Sequence, residues 1–281
     1  MANIGATTAF YKVETSLTRA NSEVSKSMER LATGKQNASA GDRSSYVAMA
    51  DTFRLDYVGT KAGIKGASVV MGYLETGMRV LDAASGLLSK LQELAVLASN
   101  STNTSADNTA INAEGEALAD EFDRLLKTAS YKGKSIFSTS AAATLSVSIG
   151  GRSSAMSFGI GDPTDDSKFD ALYTERTAAG GGALKSQLSV TVATTRIENM
   201  QGVLNTARVQ AGSQYAALES AVSYTTDLTA QYELGFNTVN DVNFSMETAH
   251  LAKNQILQQA ATAMLAQANS GQQGLLQLIQ G

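Results

Sequence analysis

The sequence has no cysteine, no tryptophan, one histidine (His250) and one proline (Pro163) in 281 residues. Without cysteine there are no disulfides, thiolate metal sites or cysteine nucleophiles, and a lone imidazole cannot supply a histidine cluster for metal binding or acid–base work. Charge is sparse and nearly balanced: 22 Lys and Arg against 26 Asp and Glu give a net charge of −4 and a pI near 5.2. That balance provides no general pull toward nucleic acid or an anionic membrane. No run of about 18 apolar residues occurs, so no bilayer span is expected. Met1 to Phe10 lack the basic stretch and apolar core of a cleaved secretory signal. Scarce proline, with 43% hydrophobic residues of which few are aromatic, favours long uninterrupted helices over a loop-rich enzyme. The expectation is a structural protein with no cofactor and no metal, and with neither nucleic acid nor membrane as partner.

What the sequence has in abundance is period. From Tyr46, steps of four and three residues reach Ala50, Phe53, Tyr57, Thr60, Ile64, Ala67, Met71, Leu74, Met78, Leu81, Ser85, Leu88, Gln92 and Ala95. Twelve of these 15 positions are apolar, where an aperiodic chain of this composition would give about 6. A second seam runs from Ile197 through Met200, Leu204, Ala207, Ala211, Gln214, Leu218, Ala221, Thr225 and Leu228 to Tyr232. Two long seams with a 3.5-residue repeat read as an antiparallel coiled-coil hairpin. Between them, Ser99 to Ser105 is a polar loop, and Ile111, Leu118, Phe122 and Leu125 mark a third, shorter helix.

Both ends carry amphipathic stripes. One is Phe10, Val13, Leu17, Ala20, Val24, Met28 and Leu31; the other is Val242, Met246, Ala249, Ala252, Ile256, Ala260, Met264 and Ala268. No charged residue occurs from Asn254 to Gly281, so the tail is poorly protected against association. Residues 1 to about 34 and 240 to 281 are therefore expected to pack on each other and on neighbouring copies, incompletely ordered in the isolated chain. The middle changes character. Thr144 to Ile149 and Ala155 to Ile160 alternate apolar with small polar residues around Gly150 and Gly151, a hairpin signal, and Gln187 to Thr191 suggests another short strand. The fold class expected is mainly α: a long antiparallel coiled-coil hairpin, paired terminal helices and a small β-hairpin insertion.

Candidate chemistry is thin. His250 lies among Ala249, Leu251 and helical amides, where a packing or surface role outweighs ligation. Asp162, Asp165 and Asp166 lack the spacing and terminal glutamate of a calcium loop and read as a solvated turn. The glycines at 150–151 and 180–182 are not followed by Lys-Ser/Thr and read as hinges, not as a phosphate cradle. Ser/Thr crowding from Ser135 to Ser157 could carry O-linked sugar, though β-edge solubility is the simpler reading. An enzyme in the middle segment is starved of candidates: Asp162, Asp165, Asp166, Glu175, Lys168 and Arg176 show no catalytic spacing.

Several local runs carry a signature. Met28 to Gly34 (Met-Glu-Arg-Leu-Ala-Thr-Gly) followed by Ala38 to Asp42 resembles the turn after the first helix of bacterial flagellins. Leu91 to Val96 with Ser99 to Thr102 resembles the end of their longest helix, and Asp241 to Glu247, Lys253 to Ala260 and Met264 to Asn269 resemble their C-terminal helix. The resemblance covers about residues 1–140 and 195–281. It implies a flagellar filament subunit, a homopolymer exported without a cleaved signal peptide to the outside of the bacterium. The export apparatus, a secretion chaperone, and filament cap and junction proteins would be its other partners.

Residues 1–42 and 237–281 would then be inner-tube terminal helices, 43–140 and 193–236 the outer-tube helical core, and 141–192 a small exposed insertion. Self-assembly falls to Phe10, Val13, Leu17, Val24, Met28, Leu31, Val242, Met246, Ile256 and Met264. The resemblance also places Lys90, Glu93, Leu94 and Glu114 where flagellins meet the innate-immune flagellin receptor, with Lys90 replacing the family's arginine and its planar donors; ordinary subunit contacts are the simpler reading. The alternatives are a hook–filament junction protein, which shares the terminal helices, and a coiled-coil adhesin or signalling hairpin, for which an uncharged tail would be odd.

Overall fold

The structure, a computed structural model, describes residues 3–39, 41, 43–138, 145–150, 155–165 and 190–280. Thr144, Gly151, the glycines at 180–182, Asp166, Glu175, Lys168, Arg176 and residues 187–189 lie outside the described residues. Helices dominate: α1 (Asn3–Thr33), α2 (Ser44–Ala98), α3 (Ser105–Thr128), α4 (Val190–Asn240) and α5 (Phe244–Gln280). Among the described residues six short strands follow α3: β1 (Ser130–Tyr131), β2 (Lys134–Ser135), β3 (Phe137–Ser138), β4 (Leu145–Ser148), β5 (Ala155–Phe158) and β6 (Ile160–Gly161). The chain divides into two compact units, one of residues 58–229 and one of residues 1–57 with 230–281.

In the unit of residues 58–229, the two heptad seams meet as expected. Ser85 on α2 donates to Gln201 Oε1 on α4 (3.0 Å), and Asp82 pairs with Arg208 (2.7 Å). As the α2 number falls the α4 number rises, so the helices run antiparallel. Leu74, Leu81 and Leu88 from α2 and Met200, Leu204, Ala211 and Leu218 from α4 fill the seam, essentially without exposure. Each leucine contributes up to about 2 kcal/mol by leaving water.

A second face of α2 is buried as well, and the strands cover it. β4 and β5 form the expected antiparallel hairpin, with Val147 opposite Met156 and Leu145 opposite Phe158. Ile160 leaves the hairpin, because β6 pairs in parallel with β3 (Phe137 with Ile160). The β structure also starts earlier than residue 141, at Ser130, in two-residue strands too short to show alternation. Of the strand expected at Gln187 to Thr191, residues 187–189 lie outside the described residues, and the expectation is corrected at Val190 and Thr191, which open α4, since β-branched residues at a helix start are tolerated when the following seam is buried.

Tyr73 on α2 fastens the strands. Its hydroxyl donates to Ile136 O (2.6 Å), its ring packs edge-on against Tyr131 and Phe158, and burial pushes its pKa up. From α4, Gln214 binds the Gly159 backbone twice, accepting from its N–H (2.9 Å) and donating to its carbonyl (3.0 Å), while Gln210 accepts from Gly161 N–H (3.2 Å). Two amides four residues apart thus act as a surrogate strand for backbone that would otherwise be unpaired.

A capping box opens α3. Thr104 Oγ1 accepts from Asp107 N–H (3.3 Å), and the Asp107 carboxylate accepts from Thr104 N–H (2.8 Å) and its hydroxyl (2.7 Å). These bonds hold the Asp107 pKa below the ordinary aspartate value. A depressed carboxylate stabilises the fold above its unfolded pKa and loses that contribution as pH falls through the folded pKa. We expect Thr104→Ala to lower the melting temperature by a few degrees at neutral pH and by less below the folded pKa. An equal loss at neutral pH and in acid, in melts followed by circular dichroism, would contradict the capping account.

In the unit of residues 1–57 and 230–281, α1 and α5 pair antiparallel. Arg30 lies 3.9 Å from Glu247, and Gln258 Nε2 donates to Asn21 Oδ1 (2.6 Å). Gly34 ends α1 at φ +70°, a conformation that suits a residue without Cβ, and its N–H bonds Arg30 O (2.9 Å). The chain then runs beside the α4–α5 connection: Gln36 N–H donates to Asn240 O (2.7 Å), and Val242 N–H donates to Gly34 O (3.0 Å). Asn37 adds a side-chain bond to Val239 O (3.3 Å). Phe53 and Tyr232 pack with rings tilted by 48° and centroids 6.4 Å apart, beside Gly235.

Candidate self-assembly site

On α1 the stripe read from sequence is the face turned to α5. Phe10, Val13, Leu17, Val24 and Leu31 are half-buried there and Ala20 is buried. Met28 departs from it: Ser27 takes the buried position, and Met28 stands 57% exposed.

On α5 the outcome differs. The covered face carries Glu247, Leu251, Asn254, Gln258, Ala261, Leu265 and Ala268, at spacings of three and four. Asn254 and Gln258 disguise this face in the sequence, yet Gln258 belongs there because its amide meets Asn21. The stripe expected from sequence lies largely on the open side: Met246 is 60% exposed, Ile256 65% and Met264 59%, with Ala249, Ala252 and Ala260 also exposed. Val242 alone of the four named α5-side positions is buried, in the connection beside Gly34. α5 therefore carries apolar side chains on two sides: α1 covers one, and the chain leaves bare the one with Met246, Ile256 and Met264. Leu257, Phe244, Leu234, Met49 and Leu55 are further exposed apolar residues of this unit.

The bare stripe has no charge to guard it beyond Lys253. An exposed row of large apolar side chains of this kind is a candidate contact surface. Asn243 starts the helix by accepting from Met246 N–H (3.2 Å), so the stripe begins on a capped, regular turn.

The other sequence candidates separate in space. Lys90, Glu93 and Glu114 are exposed, whereas Leu94 belongs to the buried core at 7% exposure. His250 is exposed on α5. Asp162 is engaged by its own turn, accepting from Thr164 N–H (2.8 Å) and its hydroxyl (2.7 Å). Among the described residues no cluster of His, Asp and Glu could hold a metal ion, and no helix is long and apolar enough to cross a membrane.

These features define a mainly helical protein with exposed apolar side chains on its terminal helices. The N-terminal helical region of bacterial flagellin matches residues 5–142, and its C-terminal helical region matches residues 194–279; the chain belongs to the bacterial flagellin family. It is 25% identical to the flagellin of Halalkalibacterium halodurans over 254 residues, covering 90% of this chain and 91% of that one. It is 24% identical to the flagellar filament 30.7 kDa core protein of Treponema maltophilum over 270 residues, covering 92% and 93%. Among solved structures, a chain described as a flagellar hook-associated protein from Vibrio parahaemolyticus superposes with a TM-score of 0.58 at 12% identity, covering 71% of this chain and all of that one. That last likeness concerns the fold.

Proposed function

We infer that the chain is a structural subunit of the bacterial flagellar filament, polymerising with copies of itself through its terminal helices. The observation that carries this reading is the bare stripe of Met246, Ile256 and Met264 on a helix whose other face is already occupied by α1. Hiding it against a neighbouring subunit releases the water held on apolar surface, and a contact between unlike surfaces repeats without closing, which generates a helical polymer. Membership of the flagellin family over both helical regions supports the same reading.

In this reading residues 1–42 and 237–281 line the inner tube, with Phe10, Val13, Leu17, Val24 and Leu31 holding α1 to α5 and Met28, Met246, Ile256 and Met264 meeting neighbours. Val242 fixes the connection from which α5 departs. Residues 43–140 and 193–236 form the outer tube, and 141–192 the insertion, whose described strands are not simply exposed, since Val147, Phe158 and Ile160 are buried in the core they share with α2. The function is mechanical and extracellular, no enzymatic step is assigned, and delivery through the flagellar export apparatus with a chaperone and a cap completes the reading. Lys90, Glu93 and Glu114 serve as subunit contacts, with Leu94 supporting them from the core.

A hook–filament junction protein is less favoured, because flagellins and filament core proteins align along some nine-tenths of the chain. Electron microscopy of the concentrated, purified chain tests the choice. Long tubes that lengthen with added subunits are expected. Particles that stop at one or a few layers would replace the filament reading with the junction one.

A further inference from the structure

The methionines divide by unit. Met71, Met78, Met156 and Met200, in the unit of residues 58–229, are all half-buried or buried. Met28, Met49, Met246 and Met264, in the unit of residues 1–57 and 230–281, are all exposed, at 57%, 48%, 60% and 59%. Only Met1 is left, outside the described residues. In that unit Ala20, Ser27, Ala50, Val242 and Ala261 are the buried residues among those described, so its methionines stand in water with its other large apolar side chains. Methionine is unbranched and polarizable, and it suits surfaces that must repack against a partner. It is also the one side chain in this cysteine-free chain that mild peroxides oxidise readily.

We propose that Met28, Met49, Met246 and Met264 are separate peroxide-sensitive modification sites that together control polymerisation: their oxidation in the free subunit blocks assembly, and assembly shields them from oxidation. The proposal rests on the filament reading above, since it takes a second copy of this chain as what covers these thioethers. In the reaction the thioether sulfur attacks one oxygen of hydrogen peroxide. An S–O bond forms as the O–O bond breaks, the sulfur is oxidised by two electrons, and the second peroxide oxygen leaves as water with both peroxide protons. The product sulfoxide is polar and accepts hydrogen bonds, so burying it against an apolar neighbour leaves an acceptor without a donor. Buried Met200 and half-buried Met71, Met78 and Met156 oxidise later, and the fold of the unit they belong to is kept.

The test uses the full chain, treated as dissociated subunits with dilute hydrogen peroxide and mapped by peptide mass spectrometry. One added oxygen is expected at each of the four exposed methionines before any appears at Met71, Met78, Met156 or Met200. The oxidised subunit should need at least about tenfold more protein to pellet as polymer than the untreated one. A mixture of both epimer-specific methionine sulfoxide reductases should restore assembly. A variant carrying M28L, M49L, M246L and M264L should polymerise equally well with and without peroxide. In preformed polymer the same four sites should oxidise much more slowly than in free subunits. If untreated and oxidised subunits assemble alike, or if the four sites oxidise as fast in polymer as in free subunits, the proposal is overturned and the filament reading stands. If untreated subunits form no polymer at all, the filament reading falls and takes the proposal with it.

Discussion

A chain carrying both Ile256→Lys and Met264→Lys is expected to fold normally and to form no filaments at concentrations where the parent chain is fully polymerised. Both side chains are exposed on α5, at 65% and 59%, Ile256 on the side away from Leu251 and Gln258 and Met264 at the margin of the covered face, so each lysine can keep its ammonium in water in the free subunit without entering the α1–α5 contact. Lysine is also an adequate helix former, and circular dichroism should be unchanged. In the polymer each ammonium would have to leave water for an apolar neighbour. The effective penalty is several kcal/mol per ion, and every subunit would bear two. Even about 3 kcal/mol of net loss raises the concentration needed for assembly by about a hundredfold. Pelleting across a concentration series measures it. Filaments at the parent's threshold would mean that this face of α5 points away from its neighbours, and the assignment of the bare stripe to assembly would be wrong. Ile256→Met with Met264→Leu is the control, since it keeps the face apolar and should leave the threshold close to that of the parent.

The long helices were legible because a 3.5-residue repeat sustained over many turns has one economical solution, a partner helix of similar length. Even the polar breaks in the seams have structural reasons. Ser85 donates to Gln201, Gln214 grips the Gly159 backbone, and Thr225 returns its hydroxyl to Ala221 O (2.7 Å) in a buried position. Gln92 is the exception, with Oε1 buried and without a hydrogen-bond partner among the described residues. What periodicity could not reveal was which of two faces on α5 the chain keeps for itself. Hydrophobicity points to the stripe with Met246, Ile256 and Met264, but α1 takes the face with Asn254 and Gln258, where the Gln258 amide is satisfied within the chain by Asn21. The parallel β3–β6 pairing was equally hidden, since two residues per strand carry no pattern and the contact is set by how Ile136 and Ile160 fill the surface of α2.

The glycines of α2 supply the other large effect. In a helix they look like flaws, each costing about 1 kcal/mol against alanine, but several are where the strands press closest. A Cβ at Gly63 would collide with the Ile149 carbonyl and come within 2.5 Å of Gly150 N, and Gly150 itself, at φ +83°, lies against the Gly59–Thr60 backbone. Backbone stands on both sides, so nothing flexible can yield. Gly63→Ala is therefore expected to destabilise the chain by about 3 kcal/mol, at the upper end of overpacking costs. Gly77 faces side chains instead, the Ile160 tip and Ile136 Cγ2 at 3.0 Å, which can shift in part. Gly77→Ala should cost less, about 1–2 kcal/mol. Gly86 in the same helix, and Gly202 in α4, have nothing within 4 Å of an added Cβ. Alanine there should stabilise by about 0.5–1 kcal/mol, through helix propensity and a less flexible unfolded chain. Chemical denaturation of the four variants as dissociated subunits gives the ranking directly. A neutral or stabilising Gly63→Ala would show that the β4–β5 turn does not rest on the α2 backbone, and the role of these glycines as the seat of the insertion would have to be abandoned.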